Sequence, residues 1–166
     1  EKIALEPAAG ARPVSSNHSF SVTGFNDERG PGAKARQERL VGIVRTSAKT
    51  GYYVDVFRSR SSLPDQFHDY LYHNIGDDLF IQSKDGELPL TDSPDRFVPA
   101  EGSEWSQNKS YLFPGWHVFE RARVSQPFAE DLQVDFCAAK LDARMRLYIP
   151  GASGREYASA HAPQTK

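Results

Sequence analysis

The fold is decided by residues 131–149, which read DLQVDFCAAKLDARMRLYI. Apolar residues occupy every second position on both sides of the segment 139–142, and mostly polar residues stand between them. Because side chains alternate between the two faces of a β-strand, this pattern predicts two strands that each have one wet face. The four residues between the strands can join them as a hairpin.

A period of two recurs along the rest of the chain, and no segment shows a convincing amphipathic helix pattern. Further strands are predicted at residues 16–22, 38–47, 52–60, 67–73, 78–82 and 116–125. Antiparallel strands in this number must close into a sandwich or barrel to bury their apolar faces. We therefore predict an all-β fold, a jelly-roll-like antiparallel β-sandwich. It should occupy residues 15–166 as a single domain, after a linker or extended lead-in over residues 1–14.

Composition excludes several classes of protein. The 166 residues, of which 39% are hydrophobic, suffice for one domain with a sizeable core. The net charge of -2 argues against a general nucleic-acid binder, and no apolar run approaches the roughly 20 residues of a membrane helix. The one cysteine, Cys137, excludes an internal disulfide and a cysteine-based zinc site. Because the chain begins with Glu1, we expect a processed product or a piece of a longer protein.

Arginines stand two residues apart at three places on the predicted strands: Arg58 and Arg60, Arg121 and Arg123, Arg144 and Arg146. Side chains at this spacing share a face, so each pair makes a two-pronged cation that can bind carboxylate or sulfate bidentately. If two of these strands are neighbours, their arginines form a basic stripe suited to an acidic glycan. The alternative is an ordinary solvated face, on which the last pair forms ion pairs with Asp131 and Asp135 across its own hairpin.

Flat aromatic rings are the second requirement for sugar binding, because the C–H groups of a pyranose pack on them. Trp105 lies in a polar loop, where it is either such a platform or a lid on the core. Tyr148 shares the solvent-facing side of its predicted strand with Arg146, and it is a further candidate for ligand binding. Trp116 is expected in the core.

Residues 67–73 read FHDYLYH and place His68 and Tyr70 on one face of a predicted strand. A histidine and a tyrosine on one face can serve as general base and acid near a sugar ring, or can form a satisfied polar network. The histidines are too scattered to fix a metal site, so the support for zinc is weak and rests on His18. Calcium stays open at Asp77 and Asp78, which offer oxygen ligands.

Two runs carry a resemblance to a known family: YYVDVFR at residues 52–58 and FHDYLYH at residues 67–73. Together they resemble the β-sandwich region of the heparinase II/III-like polysaccharide lyases, and ERLVGIVRTS at 38–47 is similar to the preceding strand. The position of His18 is similar to that of a histidine that binds a structural zinc in those proteins. The helical toroid that supplies their catalytic tyrosine has no counterpart here.

The resemblance implies a bacterial protein that is secreted, periplasmic or on the cell surface. It also implies two partners, an acidic polysaccharide with uronic acid or sulfate groups and the catalytic domain of a parent enzyme.

Three functions follow from these features. The preferred one is a non-catalytic carbohydrate-binding module that holds an acidic polysaccharide through the arginine pairs, Tyr148 and Trp105. The second is a polysaccharide lyase or a lyase fragment acting by β-elimination. In it Tyr70 or His68 removes a proton while Arg58 or Arg60 neutralises the uronate carboxylate. The third is a structural domain that packs on a catalytic domain and touches no ligand.

Overall fold

A computed structural model describes residues 1–27, 34–66, 68–98 and 118–162. Within these ranges the regular structure consists of antiparallel strands in three sheets and short 3-10 turns, with no α-helix. The predicted all-β, antiparallel sandwich class is therefore confirmed. By its internal contacts the chain divides into two compact units, residues 1–72 and 73–166. The single domain over residues 15–166 stays a prediction.

Unit 1 is built around one four-stranded sheet with the strand order β1-β2-β3-β4. Its strands are β1 (Lys2–Glu6), β2 (His18–Asp27), β3 (Ala35–Arg45) and β4 (Gly51–Ser61). β1 lies within residues 1–14, which were expected to be a linker or extended lead-in. Its backbone pairs with that of β2. The pairing of β2 with β3 extends to Asn26 opposite Arg36 and Asp27 opposite Ala35.

In this sheet the register of β2, β3 and β4 pairs even-numbered residues with even-numbered residues and odd with odd. Arg36 lies opposite Arg60, and Arg39 lies opposite Phe57, without a shift between them. Even-numbered residues of β2, β3 and β4 therefore share one face, here called the even face, and odd-numbered residues share the odd face. Both faces carry partly exposed apolar side chains, among them Phe20, Val54 and Val56 on the even face and Val41 and Ile43 on the odd face.

The strand predicted at residues 67–73 is wrong for the residues described there. Residues 68–76 form no strand, and Phe67 lies outside the described ranges. The segment is held by its side chains instead, since the Tyr70 hydroxyl bonds to Asp55 and the His68 ring bonds to Ser59. Alternation of polar and apolar residues did not distinguish such anchoring from the backbone pairing of a strand.

Unit 2 contains two sheets, with the strand orders β10-β9-β5-β6 and β11-β8-β7. Their strands are β5 (Asp78–Ser83), β6 (Gly86–Glu87), β7 (Thr91–Asp92), β8 (Glu120–Val124), β9 (Leu132–Ala138), β10 (Ala143–Ile149) and β11 (Ala158–His161). The predicted hairpin over residues 131–149 is confirmed with the predicted strand bounds. A 3-10 turn at Ala139–Leu141 closes it, followed by Asp142 in the left-handed region at φ 46°. Aspartate tolerates that conformation better than most residues.

The core of unit 2 lies on the inner face of this hairpin. Leu132 and Val134 are buried with Ile81 and Leu88, and partly buried apolar residues surround them. Alternation then directs the residues between them to the other side of the sheet. Burial of one face therefore fixes which side chains the second face offers to solvent.

Leu132→Ala tests this core. Leu132 is 2% exposed, so the substitution removes buried methyl groups and leaves a cavity. We expect a loss of about 3 kcal/mol in the free energy of unfolding, measured by urea unfolding followed by circular dichroism. Leu141→Ala is the control, because Leu141 is 62% exposed and should change stability by less than about 0.5 kcal/mol. Equal effects of the two substitutions would contradict the assigned core.

Candidate functional site

The outer face of the β10-β9-β5 sheet, opposite the core, collects three residues that the sequence put forward for ligand binding. Arg144, Arg146 and Tyr148 follow one another along this face of β10. The register gives each of them a neighbour on β9 and on β5. The resulting rows across the sheet are Tyr148–Gln133–Gln82, Arg146–Asp135–Phe80 and Arg144–Cys137–Asp78. We call these nine residues the outer face.

Two aromatic rings on the outer face are open to solvent. Tyr148 is 67% exposed and Phe80 is 48% exposed. Tyr148, Gln133 and Gln82 also line a shallow depression of about 250 Å³, with Lys84 and Asp131 at its rim. A flat ring next to side-chain amides on an open surface suits a sugar ring better than an enclosed apolar ligand.

Arg146 is fixed by a bidentate ion pair. Its Nε lies 2.7 Å from Asp135 Oδ1, and its Nη2 lies 2.9 Å from Oδ2. This hydrogen-bonded guanidinium lowers the pKa of the Asp135 carboxyl, which is buried between β10 and β5. The ion-paired alternative raised from the sequence is therefore correct for Arg146. Arg144, by contrast, makes no hydrogen bond or ion pair with any residue that the structure describes.

The three arginine pairs do not form a common stripe. They lie on β4, β8 and β10, which belong to three different sheets, so no two of these strands are neighbours. One member of each pair contacts an acidic side chain, at Arg58–Glu38, Arg123–Asp92 and Arg146–Asp135. Any ligand role must therefore be argued for each pair separately.

The pair on β8 differs from the other two in its backbone. Arg121 has a φ of 54°, a left-handed conformation that is uncommon for a residue with a long side chain. Arg123 donates to the Leu90 carbonyl oxygen at 3.0 Å and lies 3.5 Å from Asp92. Both arginines border a shallow depression beside Pro94. Their strand is irregular here, so the two-residue spacing alone does not place them on one flat face.

A polar network on the odd face of unit 1 holds Tyr70. The Arg39 guanidinium binds Asp55 with an Nη2–Oδ2 distance of 2.6 Å, and the Tyr70 hydroxyl donates to the same oxygen at 2.6 Å. Arg39 Nη2 also lies 3.2 Å from the Tyr70 hydroxyl. The Tyr70 ring packs on Phe57 with 5.5 Å between ring centroids. Nearby, His68 Nδ1 lies 2.6 Å from Ser59 Oγ.

The electrostatics of this network make Tyr70 a proton donor. Burial, followed by its hydrogen bond to Asp55, raises the pKa of Tyr70 to about 12. The hydrogen bond from Arg39 lowers the pKa of Asp55, so that carboxylate stays ionised and accepts. A tyrosine with its proton committed to a carboxylate is a poor general base near neutral pH. The satisfied polar network, one of the two alternatives for this segment, describes Tyr70 better.

The residues of the elimination hypothesis are not brought together. Tyr70 and His68 contact odd-numbered side chains of β3 and β4, whereas Arg58 and Arg60 point to the even face of the same sheet. A sheet separates the proposed base from the proposed carboxylate-binding arginines. The sequence analysis did not single out Arg39. The one hint was that Arg39 and Asp55 both have odd numbers, which places them on the same face once β3 and β4 are paired.

The remaining predicted site residues are His18 and the two tryptophans. Among the described residues no three histidine, cysteine or acidic side chains converge as a metal site, so the zinc prediction at His18 gains no ligand set there. Trp105 and Trp116 lie outside the described ranges, and the platform role of Trp105 stays a prediction. Within the residues described, no helix is long and apolar enough to cross a membrane.

Comparison with known proteins gives one informative similarity. Over 164 residues, 99% of this chain, the sequence is 33% identical to an endo-acting ulvan lyase of Formosa agariphila. The chain is thus homologous to part of a polysaccharide lyase, and it spans 19% of that protein's length. No family model matches the chain, so the heparinase II/III-like assignment stays a prediction. No solved structure matches it significantly.

Tyr70→Phe tests the network on the odd face. In a titration followed by NMR of the tyrosine ring carbons, we expect one signal to ionise near pH 12 and to vanish in the variant. Because the folded pKa is raised, the hydroxyl contributes stability below about pH 10, and this contribution is lost as the pH rises towards 12. Tyr53→Phe, at a residue 76% exposed on the same face, should leave the late signal in place. Ionisation of Tyr70 near pH 10 would refute the assignment.

Proposed function

We propose that this chain is a non-catalytic module that binds an acidic polysaccharide through the outer face of its β10-β9-β5 sheet. The observation that carries the proposal is the exposed Tyr148 ring, which shares a row with two glutamine amides and a strand with two arginines. Aromatic platforms supply area for sugar C–H groups, while amides and guanidinium groups orient hydroxyl and acidic groups. These elements occur together on one sheet.

The outer-face side chains that would contact the ligand have distinct roles in the proposal. Tyr148 stacks against a sugar ring, and Gln133 and Gln82 donate to and accept from its hydroxyl groups. Arg146 is held in one orientation by Asp135, so little side-chain entropy is lost when its remaining N–H groups contact a ligand. Arg144, which has no ion-pair partner among the described residues, supplies the charge that selects a carboxylate or sulfate group.

The similarity to an ulvan lyase supports this reading and names a first ligand to test. The chain covers 19% of that lyase, and a module of this size can serve a longer enzyme by holding its polysaccharide. We accordingly propose ulvan as the probe and a secreted or cell-surface location. The catalytic domain of a parent enzyme is the further partner in this proposal.

A structural role on a catalytic domain is the other candidate that an observation favours. Both faces of the unit 1 sheet carry apolar side chains that are more than a third exposed, among them Phe20, Val54 and Ile43. Apolar surface of this kind is common where a partner packs. This candidate requires no contribution from the outer face, so the substitutions below separate it from polysaccharide binding.

Tyr148→Ala and Arg144→Gln test the proposed binding surface. In affinity electrophoresis through ulvan-containing gels, we expect Tyr148→Ala to weaken binding about tenfold, equivalent to ~1.4 kcal/mol of lost ring contact. Arg144→Gln should weaken binding and flatten its dependence on added salt, because one charge pair is removed.

The matched controls for this test are Tyr53→Ala and Arg12→Gln, which remove the same groups from exposed positions of unit 1. They should leave the retardation unchanged. Equal retardation of the wild type and both outer-face variants would end the proposal. Absence of any retardation would favour the structural role instead.

The homology to a lyase also favours a catalytic reading, which a cleavage assay decides. We expect no rise in ultraviolet absorbance, the signal of unsaturated β-elimination products, when ulvan is incubated with a large amount of the chain. The physical reason is that Tyr70 and the arginines of β4 face opposite sides of one sheet. A rise that disappears in both Tyr70→Phe and His68→Ala would establish catalysis and overturn this expectation.

A further inference from the structure

One end of the even face of unit 1 places two like charges directly opposite each other. Arg36 on β3 is the register partner of Arg60 on β4, so their Cβ atoms are about 5 Å apart. Directly opposed like charges destabilise a sheet pair. Both side chains are exposed, and neither forms a hydrogen bond or ion pair with the residues that the structure describes. An anion between the two guanidinium groups would relieve this repulsion.

The neighbouring rows of the even face add a hydrogen-bonding group and leave the two arginines without an acidic partner among the described residues. Asn26 on β2 completes the row beside Arg36. In the next row, Arg58 lies 3.2 Å from Glu38, which is the one acidic side chain that the described strands β2 to β4 place on the even face. Beyond the pair, two hydrogen bonds between Lys34 and Ser62 hold the ends of the two chain segments together. Glu38 is thus already engaged by Arg58, and it is not an ion-pair partner of Arg36 or Arg60.

We propose that Arg36, Arg60 and Asn26 form an oxyanion site that binds a sulfate or carboxylate group. Each guanidinium presents parallel N–H donors that match the oxygens of such a group, and the Asn26 amide adds a further donor. The site belongs to unit 1, whereas the outer face belongs to unit 2. The arginine pairs alone did not indicate it, because Arg36 belongs to none of them. The inference deepens the proposed function and rests on it for the source of the anion, an acidic group of the polysaccharide.

The site is open to water, so a single anion binds it weakly. Exposed ion pairs contribute up to about 1 kcal/mol, which corresponds to roughly a fivefold change in affinity for each arginine. A polysaccharide with many charged groups raises the local concentration of such groups and makes the weak site useful.

Titration with inorganic sulfate tests the site without any polysaccharide. At constant ionic strength set with chloride, NMR of the arginine Nε–Hε groups should show saturable shifts at Arg36 and Arg60. Arg60→Gln should weaken the response at Arg36 about fivefold. Arg45→Gln is the matched control, because Arg45 lies on the same strand but on the odd face, and it should leave the response unchanged. An acetate titration distinguishes a site that also takes carboxylates from one that prefers sulfate.

The outcomes separate this site from the proposed function. Shifts at Arg36 and Arg60 that are linear in sulfate, and no larger than those at Arg45, would overturn the oxyanion site even if ulvan is retained by the outer face. Conversely, Tyr148→Ala should leave the sulfate response intact. A saturable response that persists unchanged in both Arg36→Gln and Arg60→Gln would also refute the assignment.

Discussion

The alternation of side chains along each strand, combined with a fixed antiparallel register, governs the whole molecule. In unit 2 the burial of Leu132 and Val134 against Ile81 sets the phase of β9, and pairing transmits that phase to β10 and β5. A slip of one residue would move the core residues to solvent and the arginines into the core. The composition of the outer face is therefore a consequence of what the inner face must bury.

The same constraint acts in unit 1, where it separates groups that are close in sequence. Arg58 is adjacent to Phe57 and Ser59, yet its side chain lies on the other side of the sheet from Tyr70 and His68. The runs at residues 52–58 and 67–73 suggest catalysis when they are read along the chain. In the structure, the contact between them is a hydrogen bond that anchors the second run. The Asp55–Tyr70 hydrogen bond attaches the segment after β4 to the odd face.

Local pattern was sufficient to predict the hairpin of β9 and β10, because both strands show an uninterrupted period of two and their connection is short. It also identified Arg146 with Asp135 as one of two alternatives for that face. It failed at residues 68–73, where a partner 15 residues away in sequence holds Tyr70. Neither the Arg39–Asp55 pair nor the Arg36–Arg60 opposition can be obtained without the β3–β4 register, which a single sequence does not specify.

The position of β10 within its sheet has a further consequence for colloidal behaviour. Among the described strands β10 pairs with β9 alone, so its second row of backbone N–H and C=O groups is unprotected by another strand. Bare edges recruit strands of other molecules, and charged side chains along them oppose such recruitment. The charges of Arg144 and Arg146 on this strand are of the kind that opposes such recruitment, and we expect that replacing both with apolar residues would promote aggregation.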